Sequence, residues 1–357
     1  MKNLFLLLLM LLCGRASYAQ APPTTATLTA LMQKAGVPGM QLVYAHGGRV
    51  RAYALGQRTA GQPAAVDATT TFEAASLGKA VLAYVALRLV DRGVLTLDKP
   101  LLAYAPYPRL QGAANADRIT ARMVLGHTTG LPNWATNPLS PEWPTTPLRL
   151  KYAPDSCWNY SGEGYVFLQK TLEHLTGKPF ETLAREEVFQ PLRMKHSGFA
   201  WQKKFAANAA SGHDGQRQPV AISHFPAAYG AFSLLSTAAD YSRFLQAVMT
   251  GQGLKPATAL LLRTPANEAR RCGQPATATD PFIAWACGVG LATTSRGLAQ
   301  WQWGDNGNFK GFYLTLPGTQ ESLVFLTNSS NGPKMADELL HLFFGPGEYS
   351  ALQWLAE

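Results

Sequence analysis

The sequence predicts an α+β fold: an antiparallel sheet built from the N- and C-terminal segments, flanked by helices, with an inserted mainly helical region. Three observations predict it. Met40 to Ala45 alternates as a strand, and Arg49 to Leu55 returns as its partner after the two-residue turn Gly47-Gly48. From Trp285 onward the pattern reads as strands over 285–293, 298–303, 309–316 and 321–327. Between these ends lie helix signals, Pro and Trp, with little alternation.

The elements follow in order. Residues 1–19 read as an export signal, because Lys2 charges the start and Leu4 to Leu12 is apolar but short for a membrane span. Ser17-Tyr18-Ala19 ends on a small residue, so cleavage is expected after Ala19 and the chain is expected in the periplasm or secreted. Cys13 would suit a lipoprotein, but Leu12 before it is large where lipid attachment wants a small residue. A helix is expected around Thr27 to Ala35, and 57–71, rich in Gly, Pro, Ala and Thr, reads as a loop. Ser76 to Asp91 should form a helix closed by Arg92-Gly93. Its apolar residues, among them Leu77, Val81, Leu82, Val85 and Leu89, surround most of the axis, so it should be buried. Gly164 to Thr176 reads as a helix stopped by Gly177, and Thr237 to Met249 as one capped by Ser236. Lys334 to Phe344 reads as a final amphipathic helix before Gly345. These elements group residues 20–93 with 231–357 as the α/β sandwich and leave 94–230 as the helical region.

The chain has 357 residues, 47% apolar and 15% charged, enough to bury a core. Its formal net charge of +9 falls to +7 without Lys2 and Arg15. The basic residues are scattered, which reads as a basic surface and not as a nucleic-acid interface. Beyond the leader no stretch suits stable membrane insertion. Without Cys13, three cysteines remain, an odd number. Cys272 and Cys287 could bridge in an oxidising compartment, with Cys157 as a buried thiol. No His-x-x-x-His or Cys-x-x-Cys pair is present, so a zinc site is not expected. His127 reads as structural and His213-Asp214 as a solvated loop pair. Trp134, Trp143, Trp158 and Trp303 are cleft or core candidates.

Three motifs carry chemistry. Ser76-Leu77-Gly78-Lys79 places an amine one helical turn after a hydroxyl, and burial would lower that lysine's pKa toward a base. The bland alternative is a serine cap with a surface lysine. Tyr160, ahead of Ser161-Gly162, could turn a phenol toward a cleft and relay a proton. Gly304-Asp305-Asn306-Gly307-Asn308 lies between two strands. It is a hairpin turn by default, or an edge whose amide completes an oxyanion hole.

Together these motifs resemble the serine β-lactamase and penicillin-binding protein superfamily, whose signature includes Ser-x-x-Lys. The likeness is to its class C β-lactamase-related branch of esterases, D-aminopeptidases and carboxypeptidases. Leu125 to Pro132 is similar to that branch's Leu-x-His-Thr-Ser-Gly-Leu loop. Tyr160 to Tyr165, Pro191-Leu192-Arg193-Met194 and Leu235 to Asp240 also look like its motifs, over residues 27–345 in all. The resemblance implies a β-lactamase/transpeptidase-like fold with Ser76 as acylated nucleophile. It implies that Lys79 and Tyr160 share proton transfer, with either as base. It implies an oxyanion hole from the Ser76 and Asn308 amides, substrate contacts from Gly162, Asp305, Asn306 and Gly307, and neither a metal nor an organic cofactor.

Two positions depart from the family pattern. Gly162 stands where the family usually has Asn, which touches the lysine and the substrate. Asp305 stands where a Lys or His usually binds an anionic group, and an aspartate there would repel a carboxylate or favour an amine. Lys310 is a candidate to restore the charge. These departures favour a serine hydrolase of esters, amides or peptidoglycan-derived molecules. They place a true β-lactamase second, and a cell-wall-fragment sensor without turnover as the reading of another class.

Overall fold

The computed structural model describes residues 22–357. The expected export signal, residues 1–19, lies outside them. The N-terminal elements are helix α1 (Thr25–Ala35), strands β1 (Gly39–His46), β2 (Arg49–Gly56) and β3 (Phe72–Ala75), and helix α2 (Gly78–Asp91). The middle of the chain carries α3 (Ala121–Leu125), α4 (Gly162–Thr176), α5 (Phe180–Ala184) and the two-residue strands β4 (Gly212–His213) and β5 (Pro219–Val220). Then follow β6 (Leu234–Ser236), α6 (Ala238–Thr250) and α7 (Pro256–Leu260). The C-terminal strands are β7 (Ile283–Trp285), β8 (Gly290–Thr294), β9 (Gly297–Asp305), β10 (Lys310–Leu316) and β11 (Glu321–Thr327), closed by α8 (Ala336–Phe344) and α9 (Ser350–Ala356).

A seven-stranded antiparallel sheet in the order β2-β1-β11-β10-β9-β8-β7 joins the two ends of the chain. Its seam is β1 against β11, from Met40 opposite Thr327 to His46 opposite Glu321. Strand alternation sorts the faces. Met40 and Leu42 pack with α1 and α8 residues such as Leu28 and Leu339. Val43, Tyr313 and Val324 face the other core, which contains α2, α4 and α6. Helix α2 is buried from Gly78 through Leu87, as its all-round apolar sequence demands. That second core runs without interruption from the sheet into the 94–230 region, through Leu82, Leu168 and Phe180.

Several expectations shift. The strand expected at 285–293 divides at a turn in which Gly288 adopts φ +94. A Cβ there would sit 2.1 Å from Ala83 Cβ, so this backbone lies directly on α2. The cap of α6 is Thr237, whose hydroxyl accepts from Asp240 N–H, while Ser236 ends β6 and hydrogen-bonds Ser197. Helix α8 is not the last, because α9 follows it and buries Trp354 against Trp158 and Trp301. His213 is buried and not solvated: its Nδ1 lies 2.7 Å from Asn328 O and its Nε2 accepts from Ala60 N–H. Among the described residues no helix is long and apolar enough to cross a membrane.

The cysteine expectation is also corrected. Cys157 and Cys272 form the disulfide, with Cα atoms 5.2 Å apart, and Cys287 is the buried free thiol. Backbone pairing explains it. Trp158 N–H donates to Arg270 O and Cys272 N–H to Trp158 O, which brings the two cysteines side by side. Cys287 instead sits between β7 and β8, where burial pushes its thiol up to about 11. Peptide mapping of unreduced protein is expected to yield a Cys157–Cys272 cross-linked pair and a thiol at Cys287 that alkylates only after unfolding. A Cys272–Cys287 peptide would contradict this pairing.

Candidate active site

Ser76 sits just after β3, where the ladder with β6 slips between Glu73 and Ala75. Ala75 is held at φ 51, a left-handed conformation that costs a non-glycine residue about 1–3 kcal/mol. The strain turns the chain sharply between strand and helix. Ser76 is therefore not the helix cap. It precedes α2 by two residues, and Tyr241 Oη fixes the next residue by donating to Leu77 O at 2.9 Å. Among the described residues the Ser76 amide has no hydrogen-bond acceptor, so it is free to donate into the cleft.

Lys79, on the first turn of α2, is completely buried. Its Nζ lies 3.1 Å from Ser76 Oγ and 2.6 Å from Ala231 O. The rest of its surroundings are rings, with Tyr160 at 4.6 Å, Tyr165 at 5.7 Å and Trp134 at 5.9 Å from centroid to Nζ. Among the described residues no carboxylate pairs with it. Burial lowers its pKa to about 7, so near neutrality the amine carries a lone pair. The surface-lysine alternative is excluded.

Tyr160 lies two residues before α4, whose cap is Ser161. Its hydroxyl is buried and unpartnered. Burial raises this phenol well above its ordinary value. The nearby Ser76 hydroxyl offsets part of the rise, and Asp305 adds to it. The ring packs at a tilt against Trp303 and His127, with centroids 4.7 and 4.4 Å away. His127, read as structural, is held at φ 58 and accepts from Ser161 N–H through Nδ1. It thereby sets the backbone that carries Tyr160. Burial pushes its pKa far down, and a proton on Lys79 would push it further, so the ring is neutral.

Ser76, Tyr160, Asp305, Asn306 and Gly307 line one cleft of about 380 Å³. Asn308 and Gly162 do not. The Asn308 amide donates to Asn306 O at 3.0 Å within the turn. Gly162 is covered by Trp134, which lines the cleft in its place. Asp305 is not an open negative charge: Lys310 Nζ lies 2.5 Å from its Oδ1, and Gly307 N–H donates to the same oxygen. Lys310 thus neutralises Asp305 and does not supply a free cation. Trp303 also lines the cleft, whereas Trp143 and Trp158 are buried core.

Two contributors escaped the motifs. Glu73 is buried at the cleft floor, where it accepts from Ser223 N–H at 2.7 Å and Asn306 Nδ2 at 2.6 Å, fixing the 305–308 turn. Glu163 is buried in a bidentate pair with Arg109, at 2.7 and 3.0 Å, and accepts from Trp143 Nε1 and Ala135 N–H. Nothing in their local sequence marks either one, because both act through contacts distant along the chain.

The family model described as Beta-lactamase matches residues 24–342. The chain is 30% identical over 280 residues to esterase EstB of Burkholderia gladioli, covering 64% of this chain and 70% of that protein. It is 28% identical over 236 residues to a β-lactamase of Yersinia enterocolitica, spanning 64% of this chain and 59% of that relative. A solved class C β-lactamase superposes with a TM-score of 0.72 at 20% identity, over 88% of this chain and 93% of the other. Members of this family are serine hydrolases.

The buried amine has a stability consequence. Between about pH 7 and the ordinary lysine value the unfolded chain binds a proton that the folded chain does not, so stability rises with pH across that window. Lys79→Met is expected to melt several degrees above wild type at pH 7, with an advantage that shrinks toward pH 10. Equal melting temperatures throughout would mean that Lys79 is solvated.

Proposed function

The chain belongs to the β-lactamase family, and on that premise we propose that it cleaves esters or amides through an acyl-enzyme on Ser76. The carrying observation is Lys79 Nζ, fully buried and 3.1 Å from Ser76 Oγ. The neutral amine keeps one N–H on Ala231 O and turns its lone pair to the serine proton. Ser76 Oγ then attacks the carbonyl carbon and the carbonyl π pair moves to oxygen. The Ser76 amide, aimed from a strained turn, donates to that oxyanion. The Asn308 amide would join it by leaving Asn306 O.

Burial separates the roles of the two proton carriers. It lowers the lysine and raises the phenol, so at neutral pH Lys79 is the base and Tyr160 a protonated donor. Tyr160 gives its proton to the leaving oxygen or nitrogen as that bond breaks, and Lys79 passes the proton it took from Ser76 to the Tyr160 phenolate, which restores both groups. Water then hydrolyses the acyl-serine by the same route in reverse.

No cation is among the residues lining the cleft, and the Asp305–Lys310 pair is neutral as a unit. This supports neutral esters and amides above substrates that must anchor a carboxylate, β-lactams included. Residues 1–19 complete the proposal as an export signal, placing the enzyme in the periplasm or outside the cell.

Ser76→Ala is expected to remove p-nitrophenyl ester turnover, and Lys79→Ala to lower it by about 10²- to 10⁴-fold. Wild-type rates in Ser76→Ala would refute the assignment. Asp305→Asn frees Lys310 and is expected to raise kcat/KM for carboxylate-bearing esters severalfold relative to neutral ones. An unchanged ratio would show that Lys310 does not reach the substrate.

A further inference from the structure

Gly162 has no side chain, and the space a side chain would fill is occupied. A Cβ built there would lie 2.3 Å from Trp134 Cη2 and 2.4 Å from its Cζ2, so any other residue must displace the indole. The indole is not free to move. On one flank, Asn133 accepts Gly162 N–H through Oδ1 at 2.9 Å and Glu163 N–H through its carbonyl at 3.0 Å. On the other, Ala135 N–H donates to Glu163 Oε1 at 3.0 Å. The buried Arg109–Glu163 pair holds that carboxylate in place. The ring meets Phe232 and Trp143 edge to face, at 5.4 and 5.9 Å.

The cleft therefore has two unlike ends. Around Asp305, Asn306 and Gly307 it is polar. Around Trp134, Phe225 and Phe232 its wall is aromatic, with uncharged Asn133 and Asn137 beside Trp134 and the Glu73 carboxylate tied up by Ser223 N–H and Asn306 Nδ2. Trp134 is also within 5.9 Å of Lys79 Nζ and lines the same cleft as Ser76, so a group carried on Ser76 Oγ can reach it. A hydrogen-bonding side chain at 162 and an indole at this spot exclude one another sterically. The pair decides whether this wall recognises a polar or an apolar group.

We propose that Trp134, admitted by the absence of a side chain at Gly162, is the specificity-determining wall for the acyl group, and that it selects uncharged apolar or aromatic acyl groups. This rests on acylation at Ser76. Each methylene removed from water against such a wall is worth about fourfold in kcat/KM, and a phenyl group that meets the indole gains more.

The test varies the acyl group at constant leaving group, with p-nitrophenyl acetate, butyrate and phenylacetate. Wild type is expected to prefer phenylacetate over butyrate over acetate. Trp134→Ala is expected to lower the phenylacetate-to-acetate ratio of kcat/KM about tenfold. Gly162→Asn should lose at least tenfold on all three esters through the clash. The double variant Gly162→Asn/Trp134→Ala should regain acetate turnover without the phenylacetate preference, a rescue that general damage to the fold would not produce. An unchanged acyl ratio in Trp134→Ala overturns the proposal, as does a Gly162→Asn enzyme with wild-type kinetics. If Gly162→Asn does not fold, the Trp134→Ala ratio alone decides. Failure of the acyl-enzyme reading shows separately, as turnover that survives Ser76→Ala.

Discussion

A lysine ammonium buried away from water without a carboxylate is an expensive arrangement, and the rest of the site is organised around it. Most buried charges are paired, because an isolated one is strongly disfavoured away from water. Lys79 has a carbonyl, a hydroxyl and three aromatic rings as neighbours. The protein tolerates it by letting it deprotonate near neutrality. In the proposed mechanism that concession to stability is the source of the reactivity, since a neutral amine 3.1 Å from a hydroxyl would be a base in position.

Such a site requires rigidity on every side, and its supports come from separate parts of the chain. Helix α2 is sunk between the sheet and the middle region, with the Gly288 turn pressed onto Ala83. Tyr241 holds the strained turn through Leu77 O, and Glu73 holds the 305–308 turn through Asn306. The Arg109–Glu163 pair binds the Trp134 loop to the start of α4, and the Cys157–Cys272 disulfide ties down the segment entering Tyr160. Ser76, Trp134 and Tyr160 thus rest on different supports but converge on one cleft of about 380 Å³.

What could be read in the sequence was what depends on local pattern. The hairpin, the buried character of α2, the Gly177 stop and the return of strands at the end all follow from periodicity and turn residues. Ser76, Lys79, Tyr160 and the 305–307 turn were legible as motifs, and the structure gathers them in one place. What could not be read depends on contacts distant along the chain. The disulfide partner of Cys272 is chosen by the backbone pairing of Trp158 with Arg270 and Cys272, which joins cysteines 115 residues apart. The fate of Asp305 is decided by Lys310 across a strand pair. Gly162 read as a missing hydrogen bond, and the indole that takes its place sits 28 residues earlier. His213, beside a charged residue, looked solvated because nothing local shows that Asn328 and Ala60 enclose it.

The central claim is that Lys79 is neutral in the working pH range and activates Ser76. The rate at which a fluorophosphonate probe labels the protein, measured from pH 5 to 10 with the adduct mapped by peptide mass spectrometry, tests it most directly. The account predicts a single adduct on Ser76 whose rate rises with pH around a midpoint near 7 and loses that midpoint in Lys79→Ala. An adduct on another residue, or a Ser76 rate that climbs only above pH 9, would contradict it.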